Sequence, residues 1–518
     1  MVLTDILKRY QQLKGRPAIL CTGTDEHGMK IQRAAEAADT DPQEFCDRVS
    51  QTFKLLASRA NVANDHFIRT SDPAHKDAVQ YAWDLLEKRG FIYQKKHEGW
   101  YSVSDETFYP ESTIEKRLDP ITGRTFMASQ ETGKEVEWTS EMNYHFKLSA
   151  FKDKLLQFYD ENPEWIVPAS RAKDVYKAVE SGLEDLSVSR PTSRLTWGIR
   201  VPSDSTQTIY VWLDALINYI TVAGYPNQHF YDGSLGWPAD VHVIGKDILR
   251  FHCIYWPAFL LALDLPLPKQ ILTHAHWTLG AQKMSKSTGN VVNPFFALER
   301  FGDDVMRFYL ALEGGIADDA DYGNQHIVKQ YKKCLAGGLG NLVQRIAKPY
   351  VWSIAEAVSS CHGSSSGSEH VAGSAEIRQV IDGARGRVDA EFEKLNPRAA
   401  LREVMEVVFE TNRYITAAEP WNVVKAEAAE GGARPRTNEI IYHCAEAVRV
   451  VSILLLPYMP KKAAEVLDVL GVRGEMRTWD QAVFGADQEY GRRPEKEGEK
   501  RKIGKWKSLF PPLVDEAE

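Results

Sequence analysis

Apolar residues recur along the chain in two rhythms. Leu3, Ile6, Leu7 and Tyr10 fall three or four apart, which predicts an amphipathic helix over Met1–Tyr10. Pro17-Ala-Ile-Leu-Cys-Thr22 is a short apolar run, the pattern of a buried strand, and it ends in Gly23-Thr-Asp-Glu-His-Gly28. Helical spacing returns at Met29–Ala38 and Pro42–Ala60, a strand-like segment follows at Asp65–Thr70, and then a helix over Pro73–Arg89 closed by Gly90. Strands alternating with helices predict a parallel sheet, and such sheets bind ligands beyond the carboxyl ends of their strands.

From about Phe91 to Val201 the texture changes. Aromatic residues, short alternating runs and turn signals at Asp119-Pro, Thr122-Gly and Thr132-Gly predict a small β-rich insertion, followed by helices over Ser149–Tyr159 and Arg171–Glu180. The strand-and-helix rhythm resumes at Gln207–Leu213, Val241–Asp247 and Gln270–His276, and beyond about Gln330 the pattern is helical. Ser359–Ser374, with its run Gly363-Ser-Ser-Ser-Gly-Ser, reads as a flexible loop. Gly431–Arg436 breaks the later helices, and neither an internal repeat nor a sustained heptad is present.

The 518 residues allow about three domains. A hydrophobic share of 43% and a charged share of 26% exclude a fibrous or wholly disordered chain. The richest apolar stretches, Ala258–Leu263 and Val450–Leu456, stop at Asp264 and Pro457, well short of the ~18 residues of a membrane span, so no membrane partner is expected. A net charge of −8 means that a nucleic acid would have to meet a local basic patch. None of the six cysteines lies within four residues of another, so there is no Cys-x2-Cys pair for zinc, and the thiols read as reduced.

The strongest chemical signal is Lys283-Met-Ser-Lys-Ser287, followed by Thr288-Gly-Asn290. Two lysines and two hydroxyls ahead of a glycine suit a loop that closes on a polyphosphate, although a solvated loop has the same composition. This pentapeptide resembles the signature loop of class I aminoacyl-tRNA synthetases. Gly23–Gly28, Tyr210-Val-Trp-Leu-Asp-Ala215 with Tyr219, and Gly245-Lys-Asp247 with Phe251-His252 resemble the methionyl-tRNA synthetase versions more closely than the valyl, isoleucyl or leucyl ones. The agreement runs in register from about residue 1 to 350 and more loosely to about 460, and its type is that of the mitochondrial and bacterial forms.

The resemblance implies a Rossmann-type α/β catalytic domain with a parallel sheet and a small β-rich insertion, followed by an all-α anticodon-binding domain. The implied divisions are 1–92 and 205–275 for the catalytic domain, 93–204 for the connective insertion, 276–335 for the signature loop and stem-contact region, 336–480 for the anticodon-binding domain and 481–518 for a basic tail. It implies a methionine–tRNA ligase acting on methionine, ATP with Mg2+ and tRNA(Met), as a monomer. Asp25 would hold the α-ammonium, with a cap for the helix Met29–Ala38 as the alternative. Trp212, Ala215, Tyr219 and His252 would receive the thioether side chain, with plain core packing as the alternative. Gly245 and Asp247 would hold the ribose of ATP, and Lys283, Ser285 and Lys286 its phosphates, the two lysines being the catalytic candidates.

In the helical part Asn341 and Arg345 share a helix face, and together with Trp421 they resemble the family's anticodon readers; a helix surface and a core tryptophan are the alternatives. Gly491–Lys507 holds eight basic residues against three acidic ones, a tRNA-backbone contact or a terminal arm docked through Ile503, Trp506 and Phe510. Two departures stand out. Gly99–Glu106 carries serine and acid where many relatives carry zinc thiols, so no structural zinc and no other bound metal is expected. No His-x-Gly-His tetrapeptide occurs, and Met1–Tyr10 resembles the rest of the helix that this motif opens, so the first strand and the motif are expected to lie outside this chain. The competing functions are another class I ligase for a small apolar amino acid and a non-catalytic tRNA-binding paralogue. The expected compartment is the mitochondrial matrix, with the cytoplasm as the alternative.

Overall fold

The structure, a computed structural model, describes the chain except for residues 105–106, 121, 232, 234–235, 285–289, 348–350, 362–370, 493–507 and 514–518. It divides into two compact units. A sheet unit comprises Ile19–Ala57 and Asn64–His274, and a helical unit comprises Met1–Ala18, Ser58–Ala63 and Ala275–Glu518.

α1 (Val2–Leu13) opens the chain. The sequence groups it with the sheet-bearing region, but it packs inside the helical unit. Ile6 and Tyr10 enter that unit's apolar core, and Tyr10 stacks on Phe392 at 3.9 Å. Asp5, on the same helix, is fully buried and meets the buried Arg307 at 2.6 Å. Arg307 also donates to the carbonyls of Pro457 and Tyr458, so the charges are paired and their donors used.

In the sheet unit β1 (Cys21–Thr24) leads through α2 (Met29–Ala37) and α3 (Pro42–Arg59) to β2 (His66–Arg69), which pairs with β1 in parallel, Cys21 opposite His66. Gly23 is required there, because a Cβ would lie 2.0 Å from the Ile68 carbonyl oxygen. α4 (Pro73–Lys88) begins on the expected proline and ends within a residue of the expected boundary.

The β-rich stretch comprises β3 (Ile92–Ser102), β4 (Thr107–Tyr109), β5 (Ile114–Leu118), β6 (Thr125–Ser129) and β7 (Glu137–Phe146). β3 and β7 pair antiparallel from Ile92 opposite Phe146 to Tyr101 opposite Glu137, with β4 on the other side of β3, while β5 and β6 form a separate hairpin. α5 (Lys152–Glu161), β8 (Ile166–Val167) and α6 (Ala169–Glu180) follow, then β9 (Leu186–Ser187), β10 (Ser189–Pro191), β11 (Arg200–Val201) and β12 (Asp204–Ile209). β9 pairs with β7, and β10, β12 and β11 make a small antiparallel sheet.

After α7 (Val211–Val222) and α8 (Gln228–Tyr231), the parallel pattern returns in β13 (Val241–Gly245), α9 (Trp256–Ala262) and β14 (Gln270–His274). The sheet order is β13-β14-β8, all parallel. β8 thus joins the parallel sheet from inside the range read as insertion; at two residues it is too short to mark itself by periodicity. Gln207–Leu213 also departs from its expected strand. β12 stops at Ile209 and α7 starts at Val211, which puts Trp212 in the first turn of a helix. A short apolar run does not by itself separate a strand from a buried helix.

The helical unit continues with β15 (Trp277–Leu279), β16 (Gln282–Lys283), α10 (Pro294–Phe301), α11 (Asp303–Glu313), β17 (Ala320–Asp321) and α12 (Asn324–Gln330). A π-helical segment, Tyr331–Gly340, runs into α13 (Asn341–Ile346). α14 (Ile354–Cys361), α15 (Ser374–Glu393), α16 (Pro397–Ala418), α17 (Pro420–Ala429), α18 (Pro435–Leu455) and α19 (Pro460–Leu470) complete it. α18 is the centre of the bundle, buried from Thr437 to Leu455, and its internal ion pair of Arg449 with Glu446, at 2.7 Å, is closed further by Gln481 and Gly485. Phe510 is buried in this unit, as its expected docking requires, whereas Ile503, Trp506 and residues 362–370 of the expected loop lie outside the described residues. The ends of that expected loop are helical: Ser359 to Cys361 close α14 and Ser374 opens α15. Among the described residues no helix is long and apolar enough to cross a membrane.

Candidate functional site

The polar run after β1 turns into α2 through Gly28, which holds the N-cap position and whose φ of 101° favours glycine. Asp25 stands three residues before that position. Asp25 is exposed, while Glu26 and His27 are buried. Glu26 takes a two-pronged bond from Arg69, at 2.8 and 2.9 Å, and its own N–H donates to Thr70 Oγ1 at 2.8 Å. On the other flank Trp197 Nε1 donates to the Glu26 carbonyl at 2.5 Å. The loop that displays Asp25 is thus held to β2 by one carboxylate and to Trp197 by one carbonyl.

Trp212, Ala215 and Tyr219 stand three and four residues apart on α7, hence on one face. Trp212 stacks on Phe251, with centroids 3.7 Å apart and planes within 10°, and lies edge-on to His252 at 6.4 Å. His252 belongs to a π-helical turn, Phe251–Tyr255, a local widening frequent at functional sites. Its Nδ1 is 2.9 Å from the Ile248 carbonyl and its Nε2 2.7 Å from the Tyr219 hydroxyl. A carbonyl only accepts, so Nδ1 carries the hydrogen and Nε2 accepts from the tyrosine. Burial keeps the ring neutral, with its pKa pulled down to about 4, and pulls the neighbouring His242 down to about 3. Burial first, with the Asp25 carboxylate adding to it, raises the Tyr219 phenol well above its ordinary value, so it stays protonated. The sequence-predicted Asp25, Trp212, Ala215, Tyr219 and His252 thus converge on an aromatic wall with neutral polar groups and one exposed carboxylate.

β13 ends at Gly245, and Asp247 lies in the 3-10 turn Lys246–Ile248 at the carboxyl end of the parallel sheet. A Cβ on Gly245 would come 2.6 Å from Asp247 Oδ1, so the glycine lets the carboxylate lie against the backbone. Asp247 is exposed and near enough to His252 to oppose the fall in its pKa.

In the helical unit Lys283 is exposed on β16, opposite Thr278. Asn290 Nδ2 donates to its carbonyl at 3.3 Å, and Asp321 braces the hairpin by accepting from Thr278 Oγ1 at 2.9 Å and from the Ala281 N–H at 3.0 Å. Ser285 and Lys286 lie outside the described residues. Asn341 and Arg345 on α13 converge on Asn412 of α16: Asn341 donates to its side chain at 3.1 Å and Arg345 to its carbonyl at 3.4 Å. The Arg345 guanidinium stands 5.4 Å from the Trp421 ring, so these three residues form one cluster.

Sequence reasoning passed over Asp214, His27, His75 and His242. Two of them lie inside motifs that it quoted, but the pairing of His27 with Asp214 spans 187 residues and leaves no local trace. Among the described residues no group of three or more His, Cys, Asp or Glu side chains is arranged to hold a metal ion.

Comparison with known proteins places this geometry in context. Residues 1–347 match the family model described as tRNA synthetases class I (M). The chain is 53% identical over 526 residues to a probable mitochondrial methionine–tRNA ligase of Neurospora crassa, covering 100% of this chain and 82% of that one. It is 39% identical to a methionine–tRNA ligase of Rickettsia bellii, covering 92% and 89%. Among solved structures, methionyl-tRNA synthetase of Mycobacterium tuberculosis bound by methionyl-adenylate superposes with a TM-score of 0.84 at 34% identity, covering 98% of this chain and 95% of that one.

Proposed function

The chain belongs to the methionyl class I aminoacyl-tRNA synthetases, and from that premise we propose that it activates methionine with ATP and transfers it to tRNA(Met). A methionine carboxylate oxygen attacks the α-phosphorus of ATP, pyrophosphate leaves, and methionyl-adenylate forms. A hydroxyl of the terminal tRNA ribose then attacks the carbonyl carbon, AMP leaves, and its proton passes to solvent. The work is positioning and charge stabilisation, without a covalent enzyme intermediate.

Asp25 takes the α-ammonium in a charge-assisted bond. Trp212, Ala215, Tyr219 and His252 receive the thioether, whose polarisable sulfur suits aromatic edges and a neutral imidazole. Gly245 and Asp247 receive the adenosine ribose, and Lys283, Ser285 and Lys286 the phosphates, with Mg2+ arriving as the ATP complex. Asn341, Arg345 and Trp421 read the anticodon by base-edge bonds and stacking.

The observation that carries the reading is the neutral His252–Tyr219 pair in the Trp212–Phe251 wall. It offers polar atoms without charge, as an uncharged sulfur-bearing chain requires. A hydrophobic slot alone separates side chains by only about 10–200-fold per methylene, so directional contacts to sulfur supply the rest. The enzyme acts as a monomer in the mitochondrial matrix, in keeping with the mitochondrial designation of several similar proteins. It holds no structural zinc; stoichiometric zinc in the purified protein would refute that part.

Pyrophosphate exchange tests the function. Methionine should drive exchange of labelled pyrophosphate into ATP, with valine, isoleucine and leucine far less effective. Equal exchange with those amino acids, or none with methionine, overturns the proposal.

A further inference from the structure

A buried carboxylate lies behind the aromatic wall and has no place in the chemistry above. Asp214 is on α7 and is wholly inaccessible to solvent. At about 100° per residue its side chain points away from the face that carries Trp212, Ala215 and Tyr219. It makes two bonds there. His27 Nδ1 is 2.6 Å from Oδ2, and His75 Nε2, from α4, is 2.8 Å from Oδ1. His75 Nδ1 lies 3.1 Å from Thr221 Oγ1, about two turns further along α7, so the clasp grips the helix at two points. Burial opposes the charge on Asp214, but His27 and His75 hold its pKa down to about 2. The carboxylate is therefore a fixed anion in the interior.

His27 is two residues from Asp25, in the loop that displays it. Glu26 fixes that loop to β2, and Trp197 holds its other flank. The bond to Asp214 ties the loop directly to α7. One face of the helix forms the side-chain wall, and the other holds the segment that anchors the ammonium.

We infer that Asp214 is a positioning residue for amino-acid selection: through His27 it holds Asp25 at a set offset from the α7 wall, so that ammonium and thioether are engaged together. This rests on the methionine reading above. Asp214 touches no substrate. Its role is to make the two halves of recognition cooperative, since a displacement well under the length of the substrate leaves one half unsatisfied.

The test is Asp214→Asn, which keeps the shape but offers only one acceptor oxygen for two imidazole donors. In pyrophosphate exchange the KM for methionine should rise roughly 10- to 100-fold, the range for losing one bond to a charged group, while the KM for ATP stays within about twofold. A second readout is specific to the loop. 4-(Methylthio)butanoate, which lacks the amino group, should inhibit wild type and variant about equally, so the preference for methionine over this analogue should shrink by the same factor. A merely structural role would lower turnover per milligram and leave both the KM and that preference in place.

If Asp214→Asn does not fold, His27 carries the test. His27→Ala should raise the methionine KM as Asp214→Asn would, and His27→Asn, whose amide N–H stands near the position of Nδ1, should restore it to within about threefold. An unchanged methionine KM in folded His27→Ala, with an unchanged preference over the analogue, overturns the inference. A wild-type protein that gives no methionine-dependent exchange overturns the functional reading instead.

Discussion

At His252 the fold excludes water from an imidazole and hands each ring nitrogen one partner, and this sets both its charge and its tautomer. The sequence places a histidine beside Phe251 and suggests its role, yet nothing local says whether the ring is charged. Its pKa near 4, and that of His242 near 3, stand below the ordinary ~6.5, so between pH 6.5 and 4 the unfolded chain takes up protons that the folded chain refuses. Stability from these groups is fully present above about pH 6.5 and is lost as pH falls through that window. The midpoint of urea unfolding should therefore drop between pH 7 and 4.5, less steeply in His252→Gln; a flat profile would show that the rings are not held neutral. Lys286 presents the opposite case, for its role is read from sequence alone. Lys286→Ala should cut pyrophosphate exchange about 100-fold, roughly 3 kcal/mol of transition-state stabilisation, with little change in methionine KM. Equal and modest losses in both would remove it from the chemistry.

Elements longer than a turn or two were largely legible. Pro73 and Gly90 bracket α4 because proline suits a first helical turn and glycine a helix end, and Leu3, Ile6, Leu7 and Tyr10 mark α1. What periodicity missed were junctions. β8 is two residues long, and the change from β12 to α7 falls inside an unbroken apolar run, where only tertiary burial decides between strand and helix. Gly23 carries a prediction at this scale. In Gly23→Ala the new methyl would meet the Ile68 carbonyl at 2.0 Å, and since that oxygen belongs to the backbone, β1 and β2 must move apart. The expected loss is about 1–3 kcal/mol in urea unfolding. Gly386→Ala is the control: it lies exposed within α15 with nothing within 4 Å of its Cβ, so it should be neutral or gain about 0.5–1 kcal/mol. Similar effects of the two would mean that the close approach of the strands is not what requires Gly23.

For the molecule as a whole, the proposed activation residues of the aromatic wall stand in the sheet unit, and the Asn341, Arg345 and Trp421 cluster in the helical unit. Arg345→Ala and Trp421→Ala should therefore raise the KM for tRNA roughly 10- to 100-fold in charging, the scale of one lost base stack, and leave pyrophosphate exchange as in wild type. A parallel fall in exchange would assign the cluster to the stability of the unit instead. The order of motifs, the two texture changes and the polar ends of the parallel strands were all readable, because each depends on residues near one another in the chain. The family follows from those alone. The membership of α1 in the helical unit, the uncharged state of His252 and the Asp214 clasp depend on partners hundreds of residues away or on the exclusion of water. Neither quantity is a property of a segment, so only the folded chain decides them.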